Sequence, residues 1–76
     1  MTRYKIPHAM LRSWLFLHEM TVADLAKLLG LQDRHTLKWR YRHGFSDDEI
    51  RIIAERLPAG GVYLRREYPD LFGEGD

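Results

Sequence analysis

Side chains able to bind an anion are concentrated in one short stretch of this chain, between residues 34 and 43. Four of the twelve Lys and Arg fall there within nine positions, two His accompany them, and no acid interrupts them. They are Arg34, His35, Lys38, Arg40, Arg42 and His43. Because the formal net charge of the whole chain is only +1, this clustering creates a local positive field on an otherwise balanced molecule. Such a field attracts the phosphates of a nucleic acid.

The elements that must position this cluster are predicted to be helices. The spacing of apolar residues predicts helices over about 7–19, 21–29, 34–43 and 46–57. Pro58, Gly60 and Gly61 are expected to close the fourth helix, and residues 62–64 to be extended. We therefore expect one all-α domain over 1–76. It would be a small bundle of four to five helices with a short extended C-terminal segment over 62–72.

The second and third predicted helices are joined by a turn. Thr21 and Asp24 have the spacing of a capping box at the start of the second helix. Gly30 can end that helix in the left-handed conformation, and Asp33 can cap the next one. This order of helix, turn and basic helix is typical of a helix-turn-helix DNA reader.

The fourth predicted helix has the clearest start in the chain. Ser46 and Glu49 form a second capping box, and Phe45 and Ile50 are spaced as a hydrophobic staple. This helix is therefore expected to begin immediately after the basic helix and to hold its C-terminal end.

The exposed face of the basic helix is predicted from its apolar edge. Leu37 and Tyr41 lie one turn apart and are expected to be buried, so that His35, Trp39 and Arg42 point outward. A helix of this kind fits a major groove about 12 Å wide, where side chains near its N-terminus reach base edges. The candidate base readers are Arg34, His35, Lys38 and Trp39. The candidate phosphate ligands are Thr21, Thr36, Arg40, Arg42 and His43.

The stretch from Thr21 to Phe72 resembles the Cro-type, lambda-repressor-like helix-turn-helix regulators of phages and prophages, especially the YdaS-related group. The motifs that carry the resemblance are ADLAKLLGL, the basic helix with its Trp, and ERLPAGGVYLRREYPDLF. The matching positions are Ala26, Gly30 and Leu31 in the turn, and Arg65, Pro69, Asp70, Leu71 and Phe72 near the C-terminus. The interval from Gly30 to Leu37 is one residue longer than the family's, unless Thr36 is the buried anchor. The resemblance implies a lambda-repressor-like fold and a dimer that regulates transcription from an operator in double-stranded DNA.

A second function remains open, because the C-terminal segment is rich in apolar residues. We expect its side chains to form a dimer or partner interface. They are Tyr63, Leu64, Tyr68, Leu71 and Phe72. The alternative to a DNA reader is therefore a protein-interaction module on the same scaffold, such as an antitoxin-like protein or a phage-encoded inhibitor that binds a protein partner.

Other classes of function find little support in the composition. The chain has no Cys, which excludes disulfides and thiolate chemistry and suits the cytoplasm. No apolar run is long enough to span a bilayer and no signal peptide is recognisable, so no membrane association is expected. The four His share no metal-ligand spacing, and neither a metal nor a cofactor is expected. The adjacent acids Asp47, Asp48 and Glu49 are explained by helix capping, so no catalytic residue is predicted and the protein is not expected to be an enzyme.

Overall fold

Five α-helices and one short 3-10 helix form the described part of the chain. The computed structural model describes residues 2–73, apart from the side chain of Arg34. The α-helices are α1 (His8–Leu17), α2 (Val22–Leu28), α3 (Arg34–His43), α4 (Asp47–Arg56) and α5 (Pro58–Glu67), and the 3-10 helix spans Pro69–Phe72. The predicted all-α bundle of four to five helices is confirmed. No helix within residues 2–73 has both the length and the apolar character needed to cross a membrane.

The segment after α4 is helical, so the prediction of an extended C-terminal segment is wrong. Pro58 occupies the first turn of α5, where its missing N–H needs no partner. Gly60 and Gly61 are buried inside this helix. A Cβ at Gly60 would lie 2.4 Å from the Trp14 ring, and one at Gly61 would lie 3.1 Å from the carbonyl oxygen of Ala54. The glycine pair therefore lets α5 approach α1 and α4 closely, and this packing outweighs the helix-breaking tendency of glycine.

One apolar core joins the five helices. Its buried side chains are Ile6, Leu11, Trp14, Leu15, Leu25, Ala26, Leu37, Phe45, Ile50, Ile53, Ala54, Leu57 and Leu64. Leu37 is fully buried and Tyr41 is half-buried, as predicted, so Leu37 rather than Thr36 anchors α3. Phe45 and Ile50, at the two staple positions, are fully buried too. These anchors fix the rotation of α3 about its axis and decide which of its side chains reach solvent.

The connection between α2 and α3 is fixed by local hydrogen bonds. The N–H of Gly30 donates to the carbonyl of Lys27 over 3.1 Å, and that of Leu31 donates to Ala26 over 2.8 Å. Gly30 has a φ of +74°, so α2 ends in a Schellman motif with a left-handed glycine. An Asp33 carboxylate oxygen then accepts from the N–H of Thr36 over 2.9 Å and caps α3. The predicted end of α2 and start of α3 are both confirmed.

Candidate nucleic-acid interface

The outward face of α3 carries basic and aromatic side chains and no acid. His35, Lys38, Trp39, Arg42 and His43 are all exposed. Arg34 begins the helix, but its side chain lies outside the described residues. The burial of Leu37 beneath this face means that the exposed donors stand on a fixed helix. The basic side chains that are clustered in the sequence of α3 are therefore exposed to solvent.

Trp39 is in contact with two guanidinium groups and one imidazole ring. The guanidinium carbon of Arg3 lies 4.6 Å from the centroid of the indole, and that of Arg40 lies 5.3 Å from it. The His43 ring packs beside it with a centroid separation of 4.5 Å and an interplanar angle of 32°. Cations attracted to the face of the indole restrain its orientation. Trp39 nevertheless remains 43% exposed, so a flat apolar surface framed by cations faces solvent.

Arg3 joins this face through the N-terminal segment, and sequence reasoning missed it. The N–H of Tyr4 donates to the carbonyl of Phe45 over 2.9 Å, and the N–H of Phe45 returns the bond over 2.8 Å. Gly44, at φ +98°, provides the room, because a Cβ there would lie 2.9 Å from the backbone nitrogen of Tyr4. Arg3 also donates from Nη1 to the Gly44 carbonyl over 3.4 Å. No sequence pattern links residues 3 and 44, so the contact was not predictable.

Arg40 supports the face rather than extending it. Its Nε donates to both carboxylate oxygens of Glu49, each over 3.0 Å, and its side chain is only 19% exposed. Glu49 also accepts from the N–H of Ser46 over 2.8 Å as part of the predicted capping box. The guanidinium predicted to bind phosphate is therefore engaged within the fold. Arg40 ties α3 to the start of α4 and stacks on Trp39.

The two Thr predicted as phosphate ligands both serve as parts of helix caps. The Thr21 hydroxyl accepts from the N–H of Asp24 over 3.1 Å, and the Thr36 hydroxyl donates to Asp33 over 3.1 Å. The Thr21 N–H and, less strongly, its hydroxyl hold the pKa of Asp24 below its usual range. The Thr36 N–H and then its hydroxyl do the same to the pKa of Asp33. Each hydroxyl is therefore already engaged in the cap at the start of its helix.

The flank of α3 opposite Arg3 borders a cavity between α1, α2 and α3. It has a volume of about 330 Å³. Its lining residues are His8, Arg12, Val22, Leu37, Lys38 and Tyr41. Arg12 was not among the predicted ligands, because it lies on α1 far from the basic stretch in sequence. The cationic face of α3 is thus extended on one side by Arg3 and on the other by Arg12.

The predicted C-terminal interface is largely turned inward. Leu64 is fully buried in the core, so its prediction as an interface residue is wrong: α5 is a helix, and this side chain belongs to its buried face. Tyr68 is half-buried and donates from its hydroxyl to the carbonyl of Lys5 over 2.5 Å. The remaining predicted residues are half-buried against their own chain: Tyr63, Leu71 and Phe72.

The large apolar side chains that are exposed lie elsewhere on the surface. Apart from Trp39, these are Phe16, Leu17 and Val62, with exposures of 82%, 63% and 74%.

Within residues 2–73, no group of three or more His, Asp or Glu is arranged to hold a metal ion. Comparison of the chain with protein-family models, with curated proteins and with solved structures found no match. Among the described residues, basic and aromatic side chains are concentrated on the exposed face of α3.

Proposed function

We propose that the protein is a sequence-specific DNA-binding transcriptional regulator of the Cro or repressor type. In this proposal α2, the turn and α3 act as a helix-turn-helix, and α3 enters the major groove of an operator. The observation that carries the proposal is the exposed face of α3, which presents five basic or aromatic side chains and no acid. Groups of this kind bind phosphates and base edges, whereas an ordinary solvated helix face mixes both signs of charge.

The side chains take different roles according to their position. His35 and Lys38, together with Arg34 at the first position of α3, would face the base edges, as residues near the start of a recognition helix do. Trp39 would pack against the groove wall, held by Arg3 and Arg40. The remaining basic side chains would bind the DNA backbone. They are Arg3, Arg42 and His43.

The resemblance to lambda-repressor-like regulators of phages and prophages supports the finer parts of this proposal. It favours a lambda-repressor-like arrangement of the helices, a cytoplasmic location and a dimer that binds two half-sites. A dimer with twofold symmetry recognises a palindrome whose half-sites lie roughly 34 Å apart, one turn of DNA.

A protein-interaction module is the second candidate, and one observation favours it. Phe16 and Leu17 at the end of α1, and Val62 on α5, leave large apolar side chains in water. Exposed apolar residues of this size are typical of contact surfaces when they are grouped. In this reading the protein would bind a protein partner, and the basic face of α3 would only keep the protein soluble.

The salt dependence of binding to a fluorescent duplex separates the two candidates. Each phosphate neutralised by a basic side chain contributes about −0.9 to the slope of log affinity against log salt concentration. We expect a steep slope for the natural chain and a slope shallower by about one unit for Arg3→Ala. Arg66→Ala is the matched control, because Arg66 is exposed on α5 and does not line the face of α3. A flat slope, or equal effects of both variants, would contradict the proposal.

A further inference from the structure

An open depression beside Trp39 lies on the exposed face of α3. It has a volume of about 390 Å³. Its lining residues are Arg3, His35, Thr36, Trp39 and Arg40. No acid is among these five, and Trp39 itself keeps 43% of its surface exposed. The depression therefore combines a large apolar ring with basic side chains on the surface that we propose to face DNA.

Two of the polar side chains in the depression are already engaged within the fold. The Arg40 Nε donates to both carboxylate oxygens of Glu49, and the Thr36 hydroxyl donates to Asp33. The ring of Trp39 carries a single N–H donor and is otherwise apolar. Much of the surface that the depression offers to a base is therefore apolar.

Arg3 is a guanidinium that stays available beside this ring. Within residues 2–73, the ion pairs involve Arg40 and Arg51 and do not include Arg3. Its hydrogen bond to the Gly44 carbonyl is long, at 3.4 Å. The guanidinium carbon lies 4.6 Å from the centroid of the Trp39 ring. A phosphate bound by Arg3 would therefore lie close to the indole.

The chemistry of the major groove determines what such a ring can read. Thymine presents its C5 methyl group there, whereas the edges of adenine, guanine and cytosine present hydrogen-bond donors and acceptors. The methyl group projects toward the side of the groove, near the phosphate on the 5′ side of its own nucleotide. An exposed apolar ring beside an available guanidinium therefore matches a thymine methyl beside its phosphate.

We infer that Trp39 is a specificity-determining residue that recognises a thymine through its C5 methyl group, while Arg3 binds the adjacent phosphate. This role rests on the proposed function, because it requires α3 to lie in the major groove. The role adds a base preference at one position of each half-site. Burying one methyl group changes the affinity by about fourfold.

Uracil in place of thymine tests the methyl group alone, because the two bases have the same hydrogen-bonding edges. The probe is the duplex that the protein enriches from a random pool, with each thymine replaced by uracil in turn. We expect one replacement in a half-site to weaken binding by about fourfold. Trp39→Ala should bind the thymine and uracil duplexes equally, and Trp39→Phe, which keeps an aromatic ring, should retain part of the preference.

Arg3→Ala is the matched control, because it removes the phosphate contact and keeps the ring. It should weaken both duplexes alike and make the salt slope shallower by about one unit, while the preference for thymine is retained. Trp39→Ala should do the opposite, with the preference lost and the salt slope unchanged. Its urea midpoint should stay close to that of the natural chain, because Trp39 is exposed and Glu49 continues to hold Arg40.

Two results would overturn the role of Trp39 and leave the proposed function intact. One is a duplex that is enriched and bound with a steep salt dependence, but with the same affinity after every replacement by uracil. The other is a preference for thymine that survives Trp39→Ala, since another residue would then recognise the methyl group. A folded protein that binds no duplex would overturn both proposals.

Discussion

Trp39 illustrates how single residues build the proposed interface. The guanidinium carbons of Arg3 and Arg40 lie 4.6 Å and 5.3 Å from the centroid of its ring. The Arg40 guanidinium is fixed by the buried carboxylate of Glu49. A buried carboxylate requires such a partner, because an unpaired charge there would be strongly destabilising. The pair therefore stabilises the contact between α3 and α4 and, in the same geometry, positions an aromatic surface that faces solvent.

Two residues of α3 should respond differently to truncation. If Lys38 contacts a base, Lys38→Ala should relax the sequence preference at that position and weaken specific binding by about 1–3 kcal/mol. If Arg42 contacts phosphate, Arg42→Ala should weaken binding to all sequences alike. Affinities for an operator and for an unrelated duplex, measured in the same buffer, test this difference. Losses that are equal and independent of sequence at both positions would contradict the assignment of Lys38 as a base reader.

At the scale of elements, helix ends that are determined by residues close together in sequence could be predicted. Helix ends that depend on residues far apart in sequence could not. The capping boxes of Thr21 with Asp24 and of Ser46 with Glu49 involve residues three apart, and both form as expected. The start of α5 was missed, because Pro58 and Gly60 signal a turn when only their neighbours are considered. Trp14, more than forty positions earlier, supplies the packing that makes Gly60 part of a helix.

The residues of the candidate site also divide into those placed by local sequence and those placed by long-range packing. The exposure of Lys38 and Trp39 could be worked out from the positions of Leu37 and Tyr41 on one helix, because helical geometry is local. The positions of Arg3 and Arg12 beside α3 could not be predicted, since each depends on how a segment distant in sequence packs against α3. Leu64 was assigned to a surface for a related reason: an extended segment would expose it, whereas α5 buries it.

The packing of α5 on α1 should make Gly60 intolerant of even a methyl group. Helix propensity alone favours Ala over Gly, but the added Cβ would lie 2.4 Å from the Trp14 ring. We expect Gly60→Ala to lower the free energy of unfolding by about 1–3 kcal/mol, as overpacked cores do. Urea unfolding followed by Trp fluorescence measures this change.

Gly61→Ala provides a graded comparison within the same helix. Its Cβ would lie 3.1 Å from a single backbone oxygen, so its loss of stability should be smaller than that of Gly60→Ala. A Gly60→Ala variant that is more stable than the natural chain would mean that α5 lies farther from α1 than described.

At the scale of the whole molecule, the two ends of the chain support one face. The N-terminal segment contacts both Phe45 and Tyr68. Tyr4 forms an isolated antiparallel β-bridge with Phe45. The Tyr4 ring also packs edge-on against the Tyr68 ring, with the ring centroids 5.0 Å apart. The C-terminal segment thus holds in place the segment that carries Arg3. Because the molecule has a net charge of only +1, the concentration of cations around α3 makes its field directional.

The central proposal is tested most directly by selecting binding sites from a random duplex pool at two salt concentrations, with the oligomeric state measured in parallel. We predict that a short palindrome is enriched, that binding weakens steeply at the higher salt concentration, and that the protein binds as a dimer with half-sites roughly 34 Å apart. A folded protein that enriches no sequence at either salt concentration would contradict the account. In that case, the exposed apolar side chains of Phe16, Leu17 and Val62 would be the place to seek a protein partner.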